Sequence, residues 1–123
     1  MACTTIRNTA STAAHMIVME VTEGATIYPG ALVAIAAGKA IPAAKAANQP
    51  ALGMAYVVEP TRITIERGAH LWDNDATNPV TAAHIGTDCY IVDDCTVCSL
   101  ADGSSVAGKV LGFEDDQVIV ETL

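Results

Sequence analysis

Gly30-Ala-Leu-Val-Ala-Ile-Ala-Ala-Gly38 is the stretch that decides how this chain reads. A Gly opens an apolar strand, and Gly38-Lys39 turns it back through a tight hairpin into Ala40-Ile41. Gly53 follows Gly30 by 23 residues, inside Ala51-Leu-Gly-Met-Ala-Tyr-Val-Val58. The same wording then recurs. Gly86-Thr-Asp-Cys-Tyr-Ile-Val92 is followed, 22 residues after its Gly, by Gly108 in Val106-Ala-Gly-Lys-Val-Leu-Gly-Phe113. Each time a second strand returns through a small residue and a Gly. Neither copy holds a catalytic signature, so the chain reads as a β scaffold that works through its surfaces and not as an enzyme.

Working outward, short strands follow one another with turn residues between them. His15 to Val21 ends at Glu23-Gly24, and Tyr28-Pro29-Gly30 is a turn, with Pro pre-set for its second position. Residues 42–50 carry an Ala-rich run that favours helix, but Pro42 and Pro50 bracket it down to one turn or a loop. Arg62-Ile-Thr-Ile-Glu-Arg67 alternates cleanly, which places Ile63 and Ile65 inward and Arg62, Thr64 and Glu66 outward. Gly68 turns that strand into Ala69 to Trp72. Thr81 to Gly86 suits one helical turn, with Thr81 as its cap. Cys89–Val92, Thr96–Ser99, Val106–Phe113 and Gln117–Glu121 are the remaining strands. Evenly spaced short strands predict an all-β chain, a small barrel or sandwich with one or two short helical turns. Residues 1–14 are Thr, Ala and Ser with little to bury and read as a flexible N-terminal arm; residues 15–123 read as a single β-rich domain.

A chain of 123 residues is one domain's length and buries roughly two-thirds of its unfolded surface. Five aromatics among 51% hydrophobic residues mean a core of small side chains, with apolar surface left over to cover against other subunits. The candidates for that contact are Met16, Ile17, Met54, Tyr56 and Trp72. The formal charge is −8, and the six bases (Arg7, Lys39, Lys45, Arg62, Arg67, Lys109) are scattered. Phosphate contacts need clustered Lys and Arg, which argues against direct nucleic-acid binding and against an anionic membrane. The start has no apolar h-region and no run reaches the length of a membrane span. Folding in a cytoplasm is expected, with the four Cys made reduced.

Cys95-Thr-Val-Cys98 has C-x-x-C spacing with Cys89 nearby. A zinc site wants a second ligand pair, and the other candidates (Cys3, His70, His84) are distant in sequence. The intervening Thr-Val suits a strand, not a zinc turn or a redox helix start. The expectation is buried thiols and no metal. Asp73-x-Asp75-x-Thr77 opens like a Ca²⁺ loop but lacks its sixth-position Gly and distal Glu. Asp93-Asp94 and Glu114-Asp115-Asp116 fall at hairpin tips, where charge is ordinarily solvated. Ser104 and Ser105 lack a nucleophile elbow. No cofactor site is expected.

Beside these features, four stretches carry a resemblance. Gly30 to Ala40 with Ala51-Leu-Gly-Met-Ala55, Asp88-Cys-Tyr-Ile-Val-Asp-Asp-Cys-Thr-Val97, and Ser105-Val-Ala-Gly-Lys-Val-Leu-Gly-Phe-Glu-Asp-Asp-Gln-Val-Ile-Val-Glu121 resemble the small capsid decoration, or cement, proteins of tailed bacteriophages. The resemblance covers most of residues 28–121 and is strongest from 86 onward. It implies a β-rich protein made in the host cytoplasm and carried on the outer surface of the virion. There it would sit as a homotrimer and stabilise contacts between copies of the major capsid protein. It also implies that the arm, through Thr4, Thr5, Ile6 and Arg7, adds to the shell on binding. The four Cys belong to no pattern of that family. Two other classes stay open: another virion module, such as a head fibre or tail component, and a small metal- or ligand-binding barrel using the Cys or the acids.

Overall fold

The computed structural model describes residues 4, 5 and 15–122. Among the described residues, the alternating and small-residue runs form ten strands: β1 Met16–Glu20, β2 Leu32–Ala36, β3 Lys39–Pro42, β4 Ala51–Val58, β5 Arg62–Glu66, β6 Gly68–Asn74, β7 Asp88–Ile91, β8 Thr96–Cys98, β9 Val106–Glu114 and β10 Gln117–Thr122. One 3-10 turn, Ala82–His84, is the sole helical element among the described residues. The chain is all-β, as its pattern predicts. The Ala-rich stretch between β3 and β4 stays a loop. The tight turns fall where φ > 0 is tolerated: Ala37 and Gly38 (φ 50 and 77) between β2 and β3, Asp115 and Asp116 (φ 48 and 66) between β9 and β10.

The repeat in the sequence is a repeat in topology. The first five strands run side by side as β1-β5-β4-β2-β3. The second five form a closed barrel that, cut open between β6 and β8, runs β6-β10-β9-β7-β8. Position for position this is the same order. The barrel closes by parallel pairing of Asp73 and Asn74 with Thr96 and Val97. At the matching place the first unit has a single parallel bridge, Val21 to Ala40.

Details match as well. Gly53 stands opposite Val33 and Gly108 opposite Cys89, each followed by a break in register. A Cβ on Gly53 would run into the backbone carbonyl of Glu66, and one on Gly108 into that of Glu121. That close approach, not local flexibility, is why both positions are Gly. A second bulge skips Tyr56 in the first unit and Leu111 in the second. Even the turn ahead of β2 repeats: the Gly30 N–H donates to the Ala55 carbonyl at 2.8 Å, and the Gly86 N–H to the Val110 carbonyl at 2.8 Å.

Two apolar clusters hold the molecule. Val33, Ala55, Ile63 and Ile65 fill the first unit, with Met19 and Leu52 packed against them. Trp72, Cys89, Ile91, Val97, Val110, Val118 and Val120 fill the barrel. Leu32, Ala34 and Ala43 belong to the first unit by sequence but are buried in the barrel's cluster, so the first unit caps the second. Leu32 is fully buried, and its N–H donates to the Asp94 carbonyl at 2.7 Å. Ser105 adds a second tie. Its hydroxyl accepts from the Gln49 N–H at 2.9 Å and donates to the Ala46 carbonyl, fastening the loop after β3 to the barrel.

The structure corrects some local readings. Gly68 does not fold β5 back onto β6. β5 pairs with β1 and β4, while β6 pairs with β10 and β8, so Gly68 is where the chain crosses between units. Cys89 and Cys98 are buried, as expected, but Cys95 is exposed, because it sits in the turn between β7 and β8 and not in a strand.

Candidate functional site

Side chains alternate across a sheet, so register shows which residues share a face. On the outward face of the first unit Val18 stands opposite Thr64, and Thr64 opposite Val57. The bulge in β4 adds Tyr56 to that face, because Tyr56 and Val57 lie between the inward residues Ala55 and Val58. Val18, Val57 and Tyr56 are 54%, 44% and 53% exposed. The next row along is Met16, Glu66, Met54 and Leu32, running from partly buried to fully buried where the barrel covers it. The result is an exposed apolar stripe on an acidic chain, with an exposed ion pair between Lys39 and Glu20 (3.7 Å) and the exposed Arg62 at its edge. A depression of about 910 Å³ opens beside it between residues 21–25 and Pro60–Arg62.

The five subunit-contact candidates are therefore divided. Met16, Met54 and Tyr56 come together on this face. Ile17 lies on the opposite face of β1, paired with Ile65 in the interior. Trp72 is 4% exposed and anchors the barrel core, so it offers almost no surface to a neighbour. Of the arm residues, Thr4 and Thr5 are exposed, while Ile6 and Arg7 lie outside the described residues. Sequence reasoning missed Val18 and Val57. Period-two alternation signals Val18, but the outward turn of Val57 depends on a bulge that no local pattern announces.

The other candidates resolve individually. Among the described residues, one group has metal-ligand spacing: Asp93, Asp94 and Cys95, at the β7–β8 turn. Its internal bonds are those of a turn. The Asp93 carboxylate accepts from the Cys95 N–H at 2.9 Å and from the Cys95 thiol at 3.3 Å. Burial alone would raise Asp93, but these donors and Thr96 hold its carboxyl below the usual range. A hydrogen bond with Thr96 favours the Cys95 thiolate. The bond to Asp93, partial burial and the charges of Asp93 and Asp94 outweigh it, and the thiol is raised. That is the reverse of an activated nucleophile. Burial, with Cys98 alongside, pushes the Cys89 thiol up to about 12. Asp73 and Asp75 do not converge: Asp73 accepts from the Gln117 amide at 3.0 Å, and Asp75 from the Asn78 N–H at 2.9 Å.

One pair was not foreseen at all. His70 Nε2 lies 2.8 Å from a Glu66 carboxylate oxygen, linking the barrel to the outward face of the first unit. His70 also lies 6.1 Å from Trp72, ring centre to ring centre.

Among the described residues no helix is long and apolar enough to cross a membrane. What the geometry presents most clearly is a set of exposed apolar side chains in register, edged by charge. No family model, no curated protein and no solved structure matches the chain.

Proposed function

We propose that this chain is a capsid decoration protein that binds the outer surface of a tailed-phage head as a homotrimer and braces neighbouring copies of the major capsid protein. The observation that carries the reading is spatial. The two stretches on which the resemblance is strongest, 88–97 and 105–121, supply four of the five strands of one closed barrel. The resemblance therefore falls on most of one structural unit and not on scattered hairpins.

The physical logic supports the same role. A brace must touch several shell subunits at once. A cyclic oligomer does so, multiplying weak contacts through effective concentration. The apolar stripe on the first unit supplies surface for contact between copies. The arm, through Thr4, Thr5, Ile6 and Arg7, is the proposed shell contact, adding a strand to an open sheet edge.

Mixing the purified protein with empty expanded heads and measuring co-sedimentation tests this reading. The expected result is saturable binding that survives moderate salt, since the contact is with protein and not with phosphate. Removal of residues 2–14 is expected to leave the fold intact and weaken binding sharply. No co-sedimentation, or binding only at a tail or vertex position, would move the chain to a fibre or tail role.

A further inference from the structure

The second unit carries an outward row equivalent to that of the first. Leu71 stands opposite Ile119, Ile119 opposite Gly112, and the bulged Leu111 takes the place of Tyr56. Leu71 and Leu111 are 39% and 45% exposed. One chain thus presents two apolar rows of the same register. The rows flanking them differ in charge. Beside the first lie Glu20 opposite Arg62 and, next to Arg62, the exposed Glu59, whose N–H donates to the Arg62 carbonyl, with Lys39 ion-paired to Glu20, so this edge mixes both signs. Beside the second, on the same side, lie Asp73 opposite Gln117 opposite Glu114, continuing into Asp115 and Asp116, a row with no base; Lys109 stands in the row on the other side, opposite Glu121 and Asp88.

We infer that these two faces are partners, so that the first-unit face of one copy seats on the second-unit face of the next copy. Two second-unit faces brought together would set acids against acids. A first-unit face on a second-unit face sets Arg62 and Lys39, the bases of a mixed edge, against that wholly acidic edge while the apolar rows cover each other. The matched register lets the rows lie along one another with strands running the same way. The seam inside the chain cannot serve this purpose. There the first unit uses Leu32 and Met54, and the equivalent positions in the second unit are the exposed, paired Asp88 and Lys109. That mode therefore ends after two units, and growth between copies needs the other pair of faces. A contact of two unlike faces is head-to-tail, and it closes into a ring where the rotation between copies allows and otherwise extends as an open array. The choice of three copies for that ring rests on the decoration reading; the pairing of the faces does not.

Sedimentation velocity of the full chain, without heads, tests the pairing with wild type, Val18→Glu and Leu71→Glu. Both substituted side chains are well exposed, and circular dichroism with a thermal melt checks that each variant folds. Wild type is expected to associate, with mass rising with concentration. Each single variant is expected to weaken association by at least about tenfold, because a charge is set in the middle of an apolar contact. An equal mixture of the two variants is expected to restore a complex of two copies and no larger one, since each brings the intact face that the other lacks. A wild type that stays monomeric at high concentration, an oligomer that neither variant disturbs, or a mixture no better than either variant alone would overturn the pairing. A monomer that still binds heads would leave the decoration reading standing and assign these faces to the shell. An oligomer that ignores heads would do the opposite.

Discussion

The two units share one strand order and differ in how they finish it. The second closes its barrel with two parallel pairs and fills it with Trp72 and a set of Val and Ile; the first makes one bridge and leans on the second. The difference sits in a few positions. Leu32 and Met54 in the first unit correspond to Asp88 and Lys109 in the second. The apolar pair makes a face that must be covered, and the barrel covers it. The charged pair makes a face that stays in water. A duplicated fold therefore becomes one asymmetric body without becoming a filament, because the surface that joins unit to unit occurs once.

The sharpest way to break that comparison is to empty the seam. Leu32→Ala removes a fully buried side chain from the joint between units and is expected to cost about 3 kcal/mol in denaturant unfolding. Asp88→Ala, its counterpart on an exposed face, is expected to stay within about 0.5 kcal/mol. Equal losses at the two sites would show that the seam is not where the units differ. Next come the two glycines. Gly53→Ala and Gly108→Ala each drive a methyl group against a backbone carbonyl, and each should lose about 2–3 kcal/mol. Similar losses support a shared architecture. Full stability in either variant would contradict the close approach assigned to that unit.

The barrel core should also show itself in alkali. The Cys89 thiol is pushed from near 9 up to about 12, so between those values the unfolded chain has lost a proton that the folded chain keeps. Its contribution is complete below pH 9 and drains away as pH rises toward 12. The slope approaches about 1.4 kcal/mol per pH unit. Cys89→Ala should flatten the alkaline limb of the stability profile relative to wild type; an unchanged limb would mean that the thiol is not sequestered. The smallest effect is at the tie between loop and barrel. Ser105→Ala leaves the Gln49 N–H without its acceptor and should cost about 1 kcal/mol, with faster amide exchange confined to residues 43–50.

Much of this fold was legible before any coordinates. Strand positions followed from alternation and from Gly and Pro placement, and the repeat was visible in Gly30, Gly53, Gly86 and Gly108. What stayed hidden was long-range. No local pattern says that β6 pairs in parallel with β8, that Leu32 belongs to the second unit's core, or that Glu66 meets His70. The division among Met16, Ile17, Met54, Tyr56 and Trp72 has the same origin. Apolar character marked all five, but facing depends on register, and the bulge at Tyr56 shifts register by one residue. Cys95 went the other way. A strand-like C-x-x-C hid the fact that Asp93 caps a turn there.

The most direct test of the proposed role is the strength of the shell itself. Heads lacking this protein should break at lower temperature or on milder osmotic shock than decorated heads. Adding the purified chain back should restore them, with new density at three-fold positions on the outer surface. Undecorated heads of unchanged stability, or density confined to a tail or vertex site, would contradict it.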